Sequence, residues 1–188
     1  GDKSDVCQVI HMDKSTQKVG AVAVGFEMFF EDGAMFGFVD TDDTIPADSY
    51  CKLVRSVAEG TDLSFGSRFL DRSEHMNVNE DQNFCLSDYA ITNALSKKFF
   101  PTLYSTPWQD IETGAKVLSR RMAKVWLMEH RCTNLFFDAE MLALARVVGA
   151  KVEEIPIRFK VRDKDYLRGK VGICTEFVNI AGKHVEIV

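Results

Sequence analysis

Apolar positions along this chain switch between two spacings. Val22, Phe26, Phe29 and Phe30 recur at i, i+4, i+7 and i+8, one face of a helix over residues 21–30, and Gly33 is placed to stop it. The run Phe36-Gly37-Phe38-Val39 that follows is continuously apolar, the character of a buried strand. Pro46 and Asp48 then open a second helix with Leu53, Val54, Val57 and Ala58 on one side, closed by Gly60, and Leu63-Ser64-Phe65 gives the next strand. A short strand at 6–10 and a polar turn at 13–17 precede all of this. Strand, helix, strand, helix, strand with short connections predicts right-handed crossovers and a mainly parallel sheet between layers of helices, so the expected fold class is α/β.

Beyond residue 70 the pattern loosens. Residues 71–81 are polar and aperiodic, which predicts a surface loop beside the strand ends, able to act as a lid. Ile91, Leu95 and Phe99 are spaced by four in a helix over 84–100 that Pro101 ends. A short strand at 115–118 is entered through Thr113-Gly114, and a helix at 120–130 follows. Asp138 is placed as the N-cap of a helix over 139–148, with Gly149 as its stop. Ile155, Ile157, Phe159 and Val161 alternate with polar residues in a half-exposed strand, which Pro156 assigns to a sheet edge. There is no internal repeat or linker, and 1–188 reads as one domain.

Composition narrows the function. With 188 residues, 46% of them hydrophobic, the chain can bury a sizeable core. A net charge of −5 argues against a nucleic-acid partner, although basic residues are dense from 158 to 170. Cys7, Cys51, Cys85, Cys132 and Cys174 are odd in number and widely spaced, which favours a reducing, cytoplasmic setting over disulfides or zinc. His11, His75, His130 and His184 are scattered. No apolar stretch approaches the ~20 residues of a membrane span, and no signal peptide is visible, so the chain reads as soluble.

The apolar run after residue 35 stops in Asp40, Asp42 and Asp43, three carboxylates in four positions. Acids clustered at the carboxyl end of a strand repel one another unless a cation is present, and in open α/β sheets ligands bind at that edge. Hard divalent ions take oxygen ligands, and Mg²⁺ keeps one or two protein carboxylates while water and substrate phosphate complete its shell. The triplet therefore points to Mg²⁺ or Mn²⁺ carrying a phosphorylated ligand. Alone, it also fits an acidic turn that merely ends a strand.

Three further segments give the triplet a context. Gly66-Ser67-Arg68 follows the next strand. Asp110-Ile111-Glu112-Thr113-Gly114-Ala115-Lys116 comes later, and Phe137-Asp138-Ala139-Glu140-Met141-Leu142 runs on to Gly149 and Glu154-Ile155-Pro156-Ile157. In order and spacing these segments resemble, over about residues 6–172, family 2 glycosyltransferases of the GT-A fold. The nearest likeness is to polyprenol-phosphate (dolichol-phosphate-like) mannosyl- and glucosyltransferases.

The resemblance implies a metal-dependent enzyme that moves a sugar from a nucleotide-sugar donor to an acceptor, with a polyprenyl phosphate at a membrane surface as one acceptor class. Asp40 and Asp42 would hold the metal and, through it, the donor diphosphate. Asp43 stands where the family usually has an uncharged residue. Arg68, Arg162 and Arg168 are the candidates to grip a phosphate through paired hydrogen bonds, with Lys170 beside them and Gly169 giving that loop freedom to close. Asp110 and Glu112 would face the acceptor, one of them as general base if it is an alcohol. Lys18 lies where the family has lysine in a Gly-Lys-Gly turn, here flanked by Gln17 and Val19.

One departure is large. The family begins with two strands and an Asn-Glu turn that hold the base and ribose, and this chain opens at what would be the third strand. The expectation is a chain truncated at its N-terminus relative to the family: a fragment, one completed by another chain, or a relic. A non-catalytic reading follows, in which the domain binds metal or phosphate and self-associates through its exposed sheet edge. Asp40-Thr41-Asp42-Asp43-Thr44 also fits the nucleophile loop of haloacid-dehalogenase-like phosphatases. That reading needs a later Gly-Asp-x-x-x-Asp, and the only Gly-Asp pair is Gly1-Asp2.

Overall fold

The structure, a computed structural model, describes residues 9–12, 17–76, 83–134 and 136–160, with 83–89 described as backbone alone. Its main element is a four-stranded sheet of β1 (Met35–Val39), β2 (Leu63–Ser67), β4 (Ala115–Ser119) and β5 (Val152–Pro156) in the order β1-β4-β2-β5. The α/β class holds, but the sheet is mixed rather than mainly parallel. β4 runs antiparallel to both neighbours, with Met35 opposite Ser119 and Leu63 opposite Leu118, and β2 with β5 is the parallel pair. The helix between β1 and β2, α2 (Ala47–Ala58), does leave those strands pointing the same way, as a crossover must. β4 then lies between them. A short strand buried on both faces has the same apolar composition in either direction, so local sequence cannot report its sense.

Side chains of β4 alternate between two cores. Ala115 and Val117 pack with Leu53, Val57 and Ile155 on the α2 side, and Leu118 belongs to the opposite cluster. That second cluster gathers α1 (Gln17–Met28), α4 (Arg120–Glu129) and α5 (Phe137–Val147). Aromatic rings tie it together: Phe26 lies 5.3 Å from Phe36 and 5.6 Å from Trp126, and Phe38 lies 5.5 Å from Phe137. Such pairs add about 0.5–1.5 kcal/mol each beyond the area they bury. α3 (Asn83–Phe99) leads through a 3-10 turn at Pro101–Leu103 toward β4.

Three local expectations change. α1 begins at Gln17, in the left-handed region at φ 58, so Lys18 stands in the first helical turn rather than in a turn ahead of the helix. Asp138 is not the cap of α5. Phe136 occupies that position, and the Asp138 carboxylate is turned inward. Within the expected loop, β3 (Glu74–Met76) pairs in parallel with β6 (Arg158–Lys160), Glu74 opposite Arg158, so this part is a strand held by a distant partner. Residues 77–81 of that loop, 6–8 of the first expected strand, and Val161, Arg162, Arg168, Gly169 and Lys170 lie outside the described residues, while Val9 and Ile10 are exposed and in no strand. Among the described residues no helix is long and apolar enough to cross a membrane.

Candidate functional site

Because β4 is antiparallel to its neighbours, its amino end meets the carboxyl ends of β1 and β2 at one edge of the sheet. The backbone N–H of Asp40 donates to the Gly114 carbonyl at 2.9 Å. The Asp40 carboxylate lies so close over Gly114 that a Cβ there would fall inside it, which only glycine avoids. The chain then turns: the N–H and hydroxyl of Thr44 donate to Asp42 Oδ1 at 3.1 and 2.6 Å. Asp43 takes a positive φ of 58 and pairs with the ammonium of Lys160, and the Lys160 N–H donates to the Thr44 carbonyl at 2.8 Å. The acidic corner is thus stitched to β6.

Lys18 reaches this corner from α1. Its ammonium lies 2.7 Å from Asp40 Oδ1 and 3.6 Å from Asp138 Oδ2, and 5.1 and 5.5 Å from the ring centres of Phe38 and Phe137. Burial opposes its charge most strongly, yet Asp138 and Asp40 outweigh burial and hold the Lys18 pKa above its usual value. Behind it, the fully buried Lys116 donates to Asp138 Oδ1 and to the Thr113 carbonyl, both at 2.7 Å. A buried ammonium needs such partners, since leaving either charge unpaired would cost several kcal/mol. Asp40, Lys18, Asp138 and Lys116 therefore form one chain of alternating charge from the surface into the core.

Glu112 sits beside this chain. Its Oε1 is buried without a hydrogen-bond partner. Burial, then the negative field of Asp138, pushes its pKa up to about 7, while the Ser96 hydroxyl and Lys116 pull the other way. A carboxyl in that range can exchange a proton near neutral pH.

Arg68 and Asp110 are brought together, but with each other. Arg68 Nε and Nη2 donate to the two Asp110 oxygens at 2.6 Å each, and the Arg68 N–H donates to Oδ2 at 2.9 Å. Glu154 on β5 accepts from the backbone N–H groups of Gln109 and Asp110, and Asn93 of α3 accepts from that of Ile111 at 2.8 Å. Asp110 thereby locks the segment leading to Glu112 and Gly114 onto the end of β2.

Sequence patterning assigned no role in the site to Lys116, Asp138 or Glu154. A signal existed for the first two: one lysine within a buried strand, and one aspartate within a helix buried through residues 137–143, can be carried only if they meet.

Between α1 and β1 lies an open groove of about 630 Å³, with Phe26, Phe29 and Phe36 along its wall and Lys18, Asp40 and Thr41 among its polar lining. Among the described residues no group of three or more His, Cys, Asp or Glu side chains is placed to hold a metal. Two carboxylates with substrate oxygens suffice for Mg²⁺, and Asp40 and Asp42 are hard oxygen donors. The Lys18 ammonium stands against Asp40 where a cation would, so that carboxylate suits such an ion, while Asp42 Oδ1 accepts from Thr44. No family model matches the chain, and no curated protein matches it.

Proposed function

We propose that this chain is a metal-dependent glycosyltransferase domain of the GT-A type, moving a sugar from a nucleotide-sugar donor to an acceptor, with a polyprenyl phosphate as the acceptor class. One observation carries the reading: the segments that resemble that family, distant in sequence, interlock at one sheet edge. Asp40 bonds to Gly114, Arg68 to Asp110, Lys116 to Asp138, and Glu154 to the Asp110 backbone. An arrangement serving stability alone would not need four of these charged side chains buried together.

Asp40 and Asp42 are the residues that would hold Mg²⁺ or Mn²⁺. Bound there, the ion would supply Lewis-acid stabilisation of the departing nucleoside diphosphate. Lys18 adds a positive charge beside the same corner, within reach of both Asp40 and Asp138. Glu112 is the general base for an alcohol acceptor, whereas a phosphate acceptor is already an anion and needs none. Asp110, with both oxygens held by Arg68, orients the acceptor side rather than taking a proton.

Incubation with Mn²⁺ and a panel of nucleotide sugars tests this, reading heat stabilisation and donor hydrolysis. Stabilisation with hydrolysis of one donor class supports the transferase; no response to any donor sinks it. Stabilisation without hydrolysis supports the second reading, a non-catalytic domain that binds metal or phosphate or self-associates. The observation favouring that alternative is the edge of β1, which among the described residues pairs only with β4 and leaves its other side for a second copy.

A further inference from the structure

We propose that Lys18 is the built-in counter-ion of Asp40, and that a divalent cation binds this corner by displacing the Lys18 ammonium toward Asp138. This rests on the metal-binding part of the function proposed above and deepens it: the site takes an anionic ligand only after the metal is in place.

The geometry supplies both positions of the switch. Lys18 and Asp40 have side chains 30% and 38% exposed, so an ion from solvent can reach the carboxylate. The second resting place is already built. Lys116 occupies Asp138 Oδ1, which leaves Oδ2, 3.6 Å from the Lys18 ammonium, to receive it. The faces of Phe38 and Phe137 offer further cation–π attraction on the way. Displacement therefore moves the ammonium between partners instead of stranding it.

Charge accounting gives the consequence. Asp40, Asp42 and Asp138 against Lys18 and Lys116 leave one net negative charge, so the resting corner offers no net attraction to a diphosphate. A bound divalent ion reverses the sign and leaves the group with one net positive charge. Metal then precedes the anionic ligand, and Lys18 sets the metal concentration at which the site switches.

Mn²⁺ alone is the probe, with free ion counted by electron paramagnetic resonance on the full chain. Lys18→Met removes the competitor and is expected to tighten Mn²⁺ binding by up to about fivefold, the scale of a partly exposed ion pair. Lys18→Gln gives the same shift and keeps the test open should the methionine variant misfold by circular dichroism. Lys18→Arg keeps the cation and stays near wild type, and Asp40→Asn loses the site. If Lys18→Met and Lys18→Gln bind as wild type does while Asp40→Asn still abolishes binding, the displacement idea is overturned and the metal site stands. If no variant and no wild-type protein binds Mn²⁺ saturably, the metal site falls and the inference with it.

Discussion

Arg68 and Asp110, 42 residues apart in sequence, share a two-pronged ion pair with both side chains buried, at 5% and 0% exposure. The pair joins the end of β2 to the segment that positions Glu112 and Gly114. Removing one partner leaves a buried charge uncompensated, so Arg68→Met is expected to cost about 3–5 kcal/mol. Arg68→Lys recovers only part of this, because an ammonium cannot span both carboxylate oxygens. Urea denaturation of the two variants checks the ranking, and equal stability of Arg68→Met and wild type refutes it.

Gly114 carries the Asp40 carboxylate against its Cα. Gly114→Ala must push Asp40 aside, breaking its contact with Lys18 and costing about 1–3 kcal/mol as local overpacking. Asp40 is short and cannot fold away, so Mn²⁺ affinity is expected to fall along with stability. A thermal melt paired with a Mn²⁺ titration checks both.

Glu112 makes stability pH-dependent in a specified direction. Its pKa in the folded chain, about 7, lies above its ordinary value of 4.5, so between these values the native state binds more protons than the unfolded one. Its contribution is therefore most favourable below about pH 4.5 and is lost as pH rises through 7, by at most about 3 kcal/mol. Glu112→Gln is expected to flatten that decline and to stabilise the protein at pH 8 relative to wild type. Denaturant midpoints from pH 5 to 8 give the answer; parallel curves for the two proteins would exclude it.

The same residue separates acceptor classes. With an alcohol acceptor, Glu112→Gln is expected to lower the transfer rate about 10²- to 10⁴-fold, and with a phosphate acceptor hardly at all. Asp42→Asn lowers both, by about 100-fold. Rates with a long-chain alcohol and with its phosphate, measured side by side, decide between them.

Local physics made part of this structure legible. β1, α2, β2 and α4 lie within about two residues of where apolar spacing puts them, because each buries a face that its own period defines. The acidic corner shows as an abrupt end to an apolar run. What stayed hidden was set by partners far away. Glu74-His75-Met76 has no alternation and becomes a strand only against β6. Asp138 obeys a capping rule on paper, but Lys116 holds its carboxylate inside. Arg68 and Asp110 stand out singly, yet nothing local marks them as each other's partner, and Lys18 with Asp40 joins a helix to a strand across a gap in sequence. The site's residue types were readable, and their pairings were not.

The placement of β4 bears on how the chain acquires its shape. Every ladder among the described residues includes β4, β5 or β6, so none can close before residue 115 has been made. At roughly 5–20 residues per second, a ribosome would hold the first strands without mates for several seconds, their apolar faces open to other chains. The late strand, once delivered, seals two seams together, so β1, β4 and β2 become one hydrogen-bonded sheet in a nearly single event late in the molecule's birth.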